Sequence, residues 1–120
     1  NKISAIILTN TTNGNRDNLI SEIKKEEGGL SGEPIQKIST NLIKKFYKQL
    51  SGKIPIIGVG GINSGKSAYE KIIAGASLLQ LYTGLVYKGP FVAKNIKKEL
   101  IQILKDQGLQ NIREAVGKGL

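Results

Sequence analysis

Apolar and polar positions fall along this chain in blocks whose lengths separate strands from helices. Ile3 to Leu8 is an apolar run too short for a helical stripe, so it predicts a buried strand, stopping at the polar cluster Thr9-Asn10-Thr11-Thr12. Asn13-Gly14-Asn15 is turn sequence, and Asp17 to Glu27 predicts a short helix patterned weakly on Leu19, Ile20 and Ile23. Gly28-Gly29-Leu30-Ser31-Gly32-Glu33-Pro34 reads as a loop. Ser39 or Thr40 is placed to cap a helix carrying Leu42, Ile43, Phe46, Tyr47 and Leu50 on one face, with Gly52 ending it. Ile54 to Val59 predicts a second buried strand, Pro55 sitting at its start. Ser67-Ala68-Tyr69-Glu70 has the form of a capping box for a helix that stops at Gly75. Leu78 to Tyr82 predicts a third strand ending at Thr83-Gly84. After Pro90 a long helix runs to about Gln107 on the stripe Val92, Ile96, Leu100, Ile103 and Leu104, and Asn111 to Val116 predicts one short helix more.

Strands apolar on both faces that alternate with helices belong to a parallel sheet covered by helices, so the fold class is α/β. Three β/α units are too few for a closed eight-stranded barrel of roughly 250 residues, but they match the last three of its eight units. An open doubly wound sheet is the architecture that periodicity leaves standing beside it.

Composition narrows the chemistry. The 120 residues set the scale of one small domain, and a chain with no methionine that begins at Asn1 reads as a piece of a longer protein. No span is apolar for the roughly 18 residues that a membrane helix needs. With neither cysteine nor histidine, the chain has no disulfide, no thiolate chemistry and no Ser-His-Asp set. No tight carboxylate pair suggests general acid–base work. Eighteen Lys and Arg against nine Asp and Glu give a net charge of +9, which favours anionic partners. The lysines are scattered in pairs through helical segments, and four tyrosines with two phenylalanines are few for base stacking. Solvated helix faces explain them better than a nucleic-acid surface. Glycine is the excess that informs: 15 of 120 residues, nearly twice the usual share of about 7%.

The glycines gather where strands end. In parallel α/β folds the binding groups lie at the C-terminal ends of strands, here Thr9-Asn10-Thr11, Gly60-Gly61 and Tyr82-Thr83-Gly84. Gly60, Gly61 and Gly84 lack a Cβ, so their amides can approach anionic oxygens closely. A glycine pair after a strand is equally a plain tight turn; a second such cluster at the next strand end shifts the balance towards a phosphate cradle. Asn10 offers both a donor and an acceptor to a planar ligand, and is equally at home as a turn residue. Lys53, Lys66 and Lys88 are candidates to neutralise an anion, with solvent exposure as the default for each.

The chain resembles the C-terminal part of class 2 dihydroorotate dehydrogenases, the membrane-associated, quinone-dependent type. The resemblance rests on Thr9-Asn10-Thr11-Thr12, Gly28-Gly29-Leu30-Ser31-Gly32, Ser39-Thr40, Ile54 through Ile62, Glu70-Lys71-Ile72 with Ala74-Gly75-Ala76-Ser77-Leu78, and Gln80 through Gly84 followed by Lys88-Gly89-Pro90. It implies a (β/α)8 barrel, with residues 1–120 as the C-terminal part of a single FMN-binding domain. It also implies oxidation of dihydroorotate to orotate in pyrimidine synthesis. By the same resemblance Thr9, Gly32, Gly61, Tyr82 and Thr83 match positions that hold FMN, the last three near its phosphate, and Asn10 and Thr11 match residues that bind the pyrimidine. The family's base is a serine upstream of this segment, so no catalytic residue is expected within it. The quinone is expected at an N-terminal helical extension, and the remainder of the barrel as a structural partner. Nucleic acid is not an expected partner. For a bacterial parent the resemblance implies the cytoplasmic face of the membrane. Three departures stand out: Glu33 where the family usually has arginine, a looser Asn13-Gly14-Asn15 link before Arg16, and Lys66-Ser67 where an aspartate is common. The competing readings are another FMN- or phosphate-binding barrel enzyme, a basic nucleic-acid-binding module, and a non-catalytic structural remnant.

Overall fold

The computed structural model describes residues 3–14 and 16–120. Asn1 and the Asn15 of the expected turn lie outside the described residues. Three parallel strands, β1 (Ile6–Leu8), β2 (Ile56–Val59) and β3 (Ala76–Gln80), form one sheet in the order β1-β2-β3. Helix α1 (Gln36–Leu50) crosses from β1 to β2, and α2 (Gly65–Ile73) crosses from β2 to β3. Two helices follow, α3 (Thr83–Lys88) and α4 (Val92–Asp106). This is the β/α alternation that the apolar pattern predicts, with a parallel sheet.

Strand pairing sets which residues meet the helices. Ile6 pairs with Ile56 and Leu8 with Gly58, while Gly58 pairs in turn with Leu79. Ile6, Leu8, Ile56, Ala76 and Leu79 gather with Ile43, Phe46, Tyr47 and Leu50 of α1 in one core cluster. Leu79 also joins a second cluster in which Ile62, Ala68, Val92, Ile96, Leu81 and Leu100 tie α2 to α4. The other parity, Ile7, Ile57 and Leu78, shares a row on the opposite face. There Ile7 is 56% and Leu78 61% exposed, so one sheet face is covered by helices and the other is open.

Several boundaries differ from the sequence reading, each for a local reason. The helix expected over Asp17–Glu27 is a single 3-10 turn, Glu22–Lys25. Two of its three apolar residues find no core, since Ile20 is 100% and Ile23 67% exposed, and a short helix without a buried face is marginal. Helix α1 starts at Gln36, three residues before the expected cap. Ser39 and Thr40 are therefore interior: the Ser39 hydroxyl donates to the Val59 carbonyl and the Thr40 hydroxyl to the Gln36 carbonyl. Helix α2 is capped by Ser64, whose side chain accepts from the Ser67 amide while the Ser67 hydroxyl accepts from the Ser64 amide. Ser67 is thus the third residue of the box, and Glu70 is released to pair with Gln36. Strand β3 ends at Gln80 because its partner β2 ends at Val59. Thr83–Lys88, where the sequence reading places no helix, forms α3, and the expected last helix is a 3-10 turn at Ile112–Ala115.

Candidate functional site

The ends of β2 and β3 are locked together by backbones that approach without side chains between them. A Cβ on Gly84 would fall on the Ile62 carbonyl oxygen. Gly61 takes φ +73° and backs onto the start of α1, where a Cβ would lie 2.5 Å from Gln36 Cβ and 2.7 Å from its Cα. Any other residue there would meet both a left-handed backbone and a fixed helix. Ile62 between them is 3% exposed and anchors the turn in the α2–α4 core.

The amides of Gly61, Ile62, Thr83 and Gly84 make no hydrogen bond among the described residues. Gly61 and Ile62 are buried, where backbone donors are normally paired, while Thr83 and Gly84 are half-buried in the first turn of α3, where amides have no intrahelical acceptor. Donors grouped in this way at two strand ends can serve an anion. They border a cleft of about 1010 Å³ whose lining includes Gly32, Gly61, Asn63, Thr83, Gly84 and Lys88. The opposite wall is the chain from Arg16 to Pro34. Ser31 joins the walls, its hydroxyl 2.9 Å from Thr83 Oγ1, and a Cβ on Gly32 would sit 3.0 Å from Thr83 Cγ2.

Arg16 shapes that outer wall. Its guanidinium donates to the carbonyls of Lys24 at 3.2 Å and Glu26 at 2.5 Å, and to that of Gly28. The returning leg is held by reciprocal bonds between Thr12 and Leu30, at 3.0 and 2.8 Å.

Of the residues singled out from sequence, Gly32, Gly61, Thr83 and Gly84 come together in the cleft, with Lys88 beside them. Tyr82 is exposed and Gly60 packs on Ser39 and Ile35; neither lines it. Thr9, Asn10 and Thr11 stand at the end of β1. The Thr9 amide donates to the Val59 carbonyl at 3.3 Å, tying that end to β2. Asn10 Oδ1 accepts from the Thr11 amide at 2.8 Å, which leaves its NH2 as the outward donor. Thr11 abuts Gly29 of the loop. Lys53 and Lys66 are exposed and do not line the cleft.

Three contributors escaped the sequence reading. Ser31 was hidden in loop sequence, and its partner lies 52 positions away. Asn63 was hidden between strand and helix. Lys71 carried a visible signal: it follows Ala68 by three on the buried face of α2, where the helical period calls for an apolar residue. Lys71 is fully buried, and its Nζ reaches the Ser39 and Thr40 hydroxyls at 3.0 and 3.1 Å and the Gln36 carbonyl at 3.4 Å. Burial pushes its ammonium from 10.5 down to about 8, against a smaller upward pull from the Glu70 carboxylate.

Comparison with known proteins gives one family throughout. The family model described as "Dihydroorotate dehydrogenase" matches residues 1–104. A dihydroorotate dehydrogenase (quinone) of Trichodesmium erythraeum is 50% identical over 97% of this chain and 32% of its own length. The mitochondrial dihydroorotate dehydrogenase (quinone) of Mus musculus is 47% identical over 96% and 29%. The crystal structure of a ligand-free dihydroorotate dehydrogenase from Eimeria tenella superposes with a TM-score of 0.93 at 43% identity, covering 96% of this chain and 32% of that one. The chain thus spans about a third of the length of these relatives, and the three-stranded sheet corresponds to a portion of their barrel fold. By the family model, the identities and the superposition together, the chain belongs to the dihydroorotate dehydrogenase family.

Proposed function

We propose that these residues are the phosphate-holding C-terminal part of a single FMN-binding barrel that oxidises dihydroorotate to orotate with quinone as acceptor. The observation that carries this is the group of unpaired amides at Gly61, Ile62, Thr83 and Gly84, residues that together line one cleft. Hydrogen bonds to a charged partner contribute roughly 1.5–3 kcal/mol each, so three or four of them anchor a phosphate without a lysine in contact. The cradle fits the flavin that the family implies.

FMN, when bound, supplies the acceptor for a hydride from the pyrimidine. The chain's own residues bind and orient. Gly61, Thr83 and Gly84 hold the phosphate, with Gly60 and Tyr82 shaping the strand ends behind it. Gly32 and Ser31 close the loop over Thr83. Thr9 contacts the flavin at the end of β1, and Asn10 and Thr11 hold the pyrimidine, Asn10 through its outward NH2. The base is a serine outside these residues, and the quinone docks on an N-terminal extension. The rest of the barrel covers the open row of Ile7, Ile57 and Leu78. Among the described residues no helix is long and apolar enough to cross a membrane; membrane association, at the cytoplasmic face for a bacterial parent, belongs to the N-terminal extension.

The test is a chimera in which this chain replaces the matching third of the Eimeria tenella enzyme. It retains FMN and reduces a dye when given dihydroorotate, whereas the 120-residue chain alone gives no turnover. A chimera that folds by circular dichroism yet holds no flavin would overturn the reading.

A further inference from the structure

Lys71 is far from an ordinary surface lysine, and its bonding has a fixed direction. Ser39 spends its one hydroxyl proton on the Val59 carbonyl at 2.5 Å, and Thr40 spends its own on the Gln36 carbonyl at 2.8 Å. Both hydroxyls therefore turn lone pairs towards Lys71, and the Gln36 carbonyl adds a third acceptor. An ammonium has three protons for these three acceptors; a neutral amine has two. All three acceptors lie in the first turn and a half of α1, the surface on which the glycine turn rests. A Cβ on Gly60 would sit 3.1 Å from Ser39 Cβ, and Gly61 backs onto Gln36. Gln36 is further tied to α2 by its Nε2, which donates to Glu70 Oε2 at 2.8 Å.

We propose that Lys71 is a positioning residue for the cleft: its ammonium holds Ser39, Thr40 and Gln36 so that the Ser39 hydroxyl fixes the Val59 carbonyl and the Gly60–Gly61 turn presents its amides to an anion. The proposal rests on reading the cleft as a phosphate site. Its consequence is that loss of the Lys71 proton loosens the turn and weakens anion binding. The groups facing Lys71 from α1 and β2, Gln36, Ser39, Thr40 and Gly58, carry no charge. Strand β3 has no titratable residue, and on α4 Glu99 is engaged at the Gly65 amide. Glu70 on its own helix is the one charged group that shifts it. The titration midpoint expected from that burial is about 8, below the range of solvated lysines.

The experiment uses the chimera that carries this chain in the Eimeria tenella enzyme, with two probes, FMN and inorganic phosphate, and reads carbon-detected resonances, since unpaired amide protons exchange too fast at alkaline pH. In the wild type without ligand, the Val59 carbonyl and the Gly60 and Gly61 Cα signals shift with a midpoint near 8. FMN affinity falls at least threefold between pH 7 and 9.5. Lys71→Met binds FMN weakly with a flat profile over that step, Lys71→Arg restores affinity and is flat too, and adding Ser39→Ala to Lys71→Met costs nothing more. An unchanged profile in Lys71→Met, or Val59 and Gly60 signals blind to the Lys71 titration, overturns the proposal. Should neither probe perturb Gly61, Thr83 or Gly84 at any pH, the phosphate reading fails instead. The ligand-free carbon titration would then still decide the role of Lys71.

Discussion

The inner wall of the cleft and its outer wall are built on different supports. Gly61, Ile62, Thr83 and Gly84 rest on a buried core and on each other's backbones. Residues 16–30 are mostly exposed, and the Arg16 guanidinium and the two-bond bridge between Thr12 and Leu30 are among the contacts that hold them. Packing makes the inner wall stiff, because close-packed backbones have nowhere to shift. The outer wall leans largely on hydrogen bonds, and exposed segments of that kind open locally at little global cost. On the proposed reading, the chain sets a rigid anion cradle beside a more loosely held loop.

The comparison breaks first if the inner wall tolerates bulk. Gly61→Ala and Gly84→Val should each cost roughly 3 kcal/mol in urea denaturation of the chain, from the left-handed backbone, overpacking or both; a loss below about 1 kcal/mol would show that the wall yields. The outer wall should respond differently to Arg16→Lys, which keeps the charge but loses the fork. Proteolysis within residues 20–28 should quicken by about tenfold or more while the urea midpoint barely moves, given about 1.5–3 kcal/mol per lost charged hydrogen bond spent on local opening.

A pH series sharpens the contrast further. Lys71 has a folded pKa below its unfolded one, so between about 8 and 10.5 the unfolded chain binds the extra proton. Stability should rise with pH across that window, at most by about 1.4 kcal/mol per pH unit, the slope for one proton. Below 8 both states are protonated and the contribution is flat. Lys71→Met should lack the rise, whereas Arg16→Lys should keep it. The smallest effect belongs to Ile20→Ser, under about 0.5 kcal/mol, since that side chain is fully exposed. A larger loss would mean that the outer wall has a core after all.

How far the site was legible follows from the range of the forces involved. Gly61, Thr83 and Gly84 were visible because each follows an apolar strand run, and a strand end is a local event. Gly32 was marked by the family pattern, but its contact with Thr83 was not visible from spacing. The 3-10 turn at Glu22–Lys25 stands where helical spacing of Leu19, Ile20 and Ile23 predicts a helix, because Ile20 and Ile23 find no surface to bury them. Ser39 and Thr40 looked like caps because short hydroxyl residues favour that position, whereas here a buried ammonium and a strand carbonyl claim their oxygens.

The sequence by itself determined the alternation of strands and helices, the parallel sheet, the glycine-rich strand ends and the family, since apolar period and local motif are carried by neighbours in the chain. Tertiary structure alone decided that the two glycine clusters touch, that Ser31 reaches Thr83, and that Lys71 sits beneath the turn. Each of those joins residues from 31 to 52 positions apart, or lays one strand end on another. Only the packing of α1 and α2 on β2 brings such partners within the few ångströms over which a hydrogen bond or a missing Cβ has any effect.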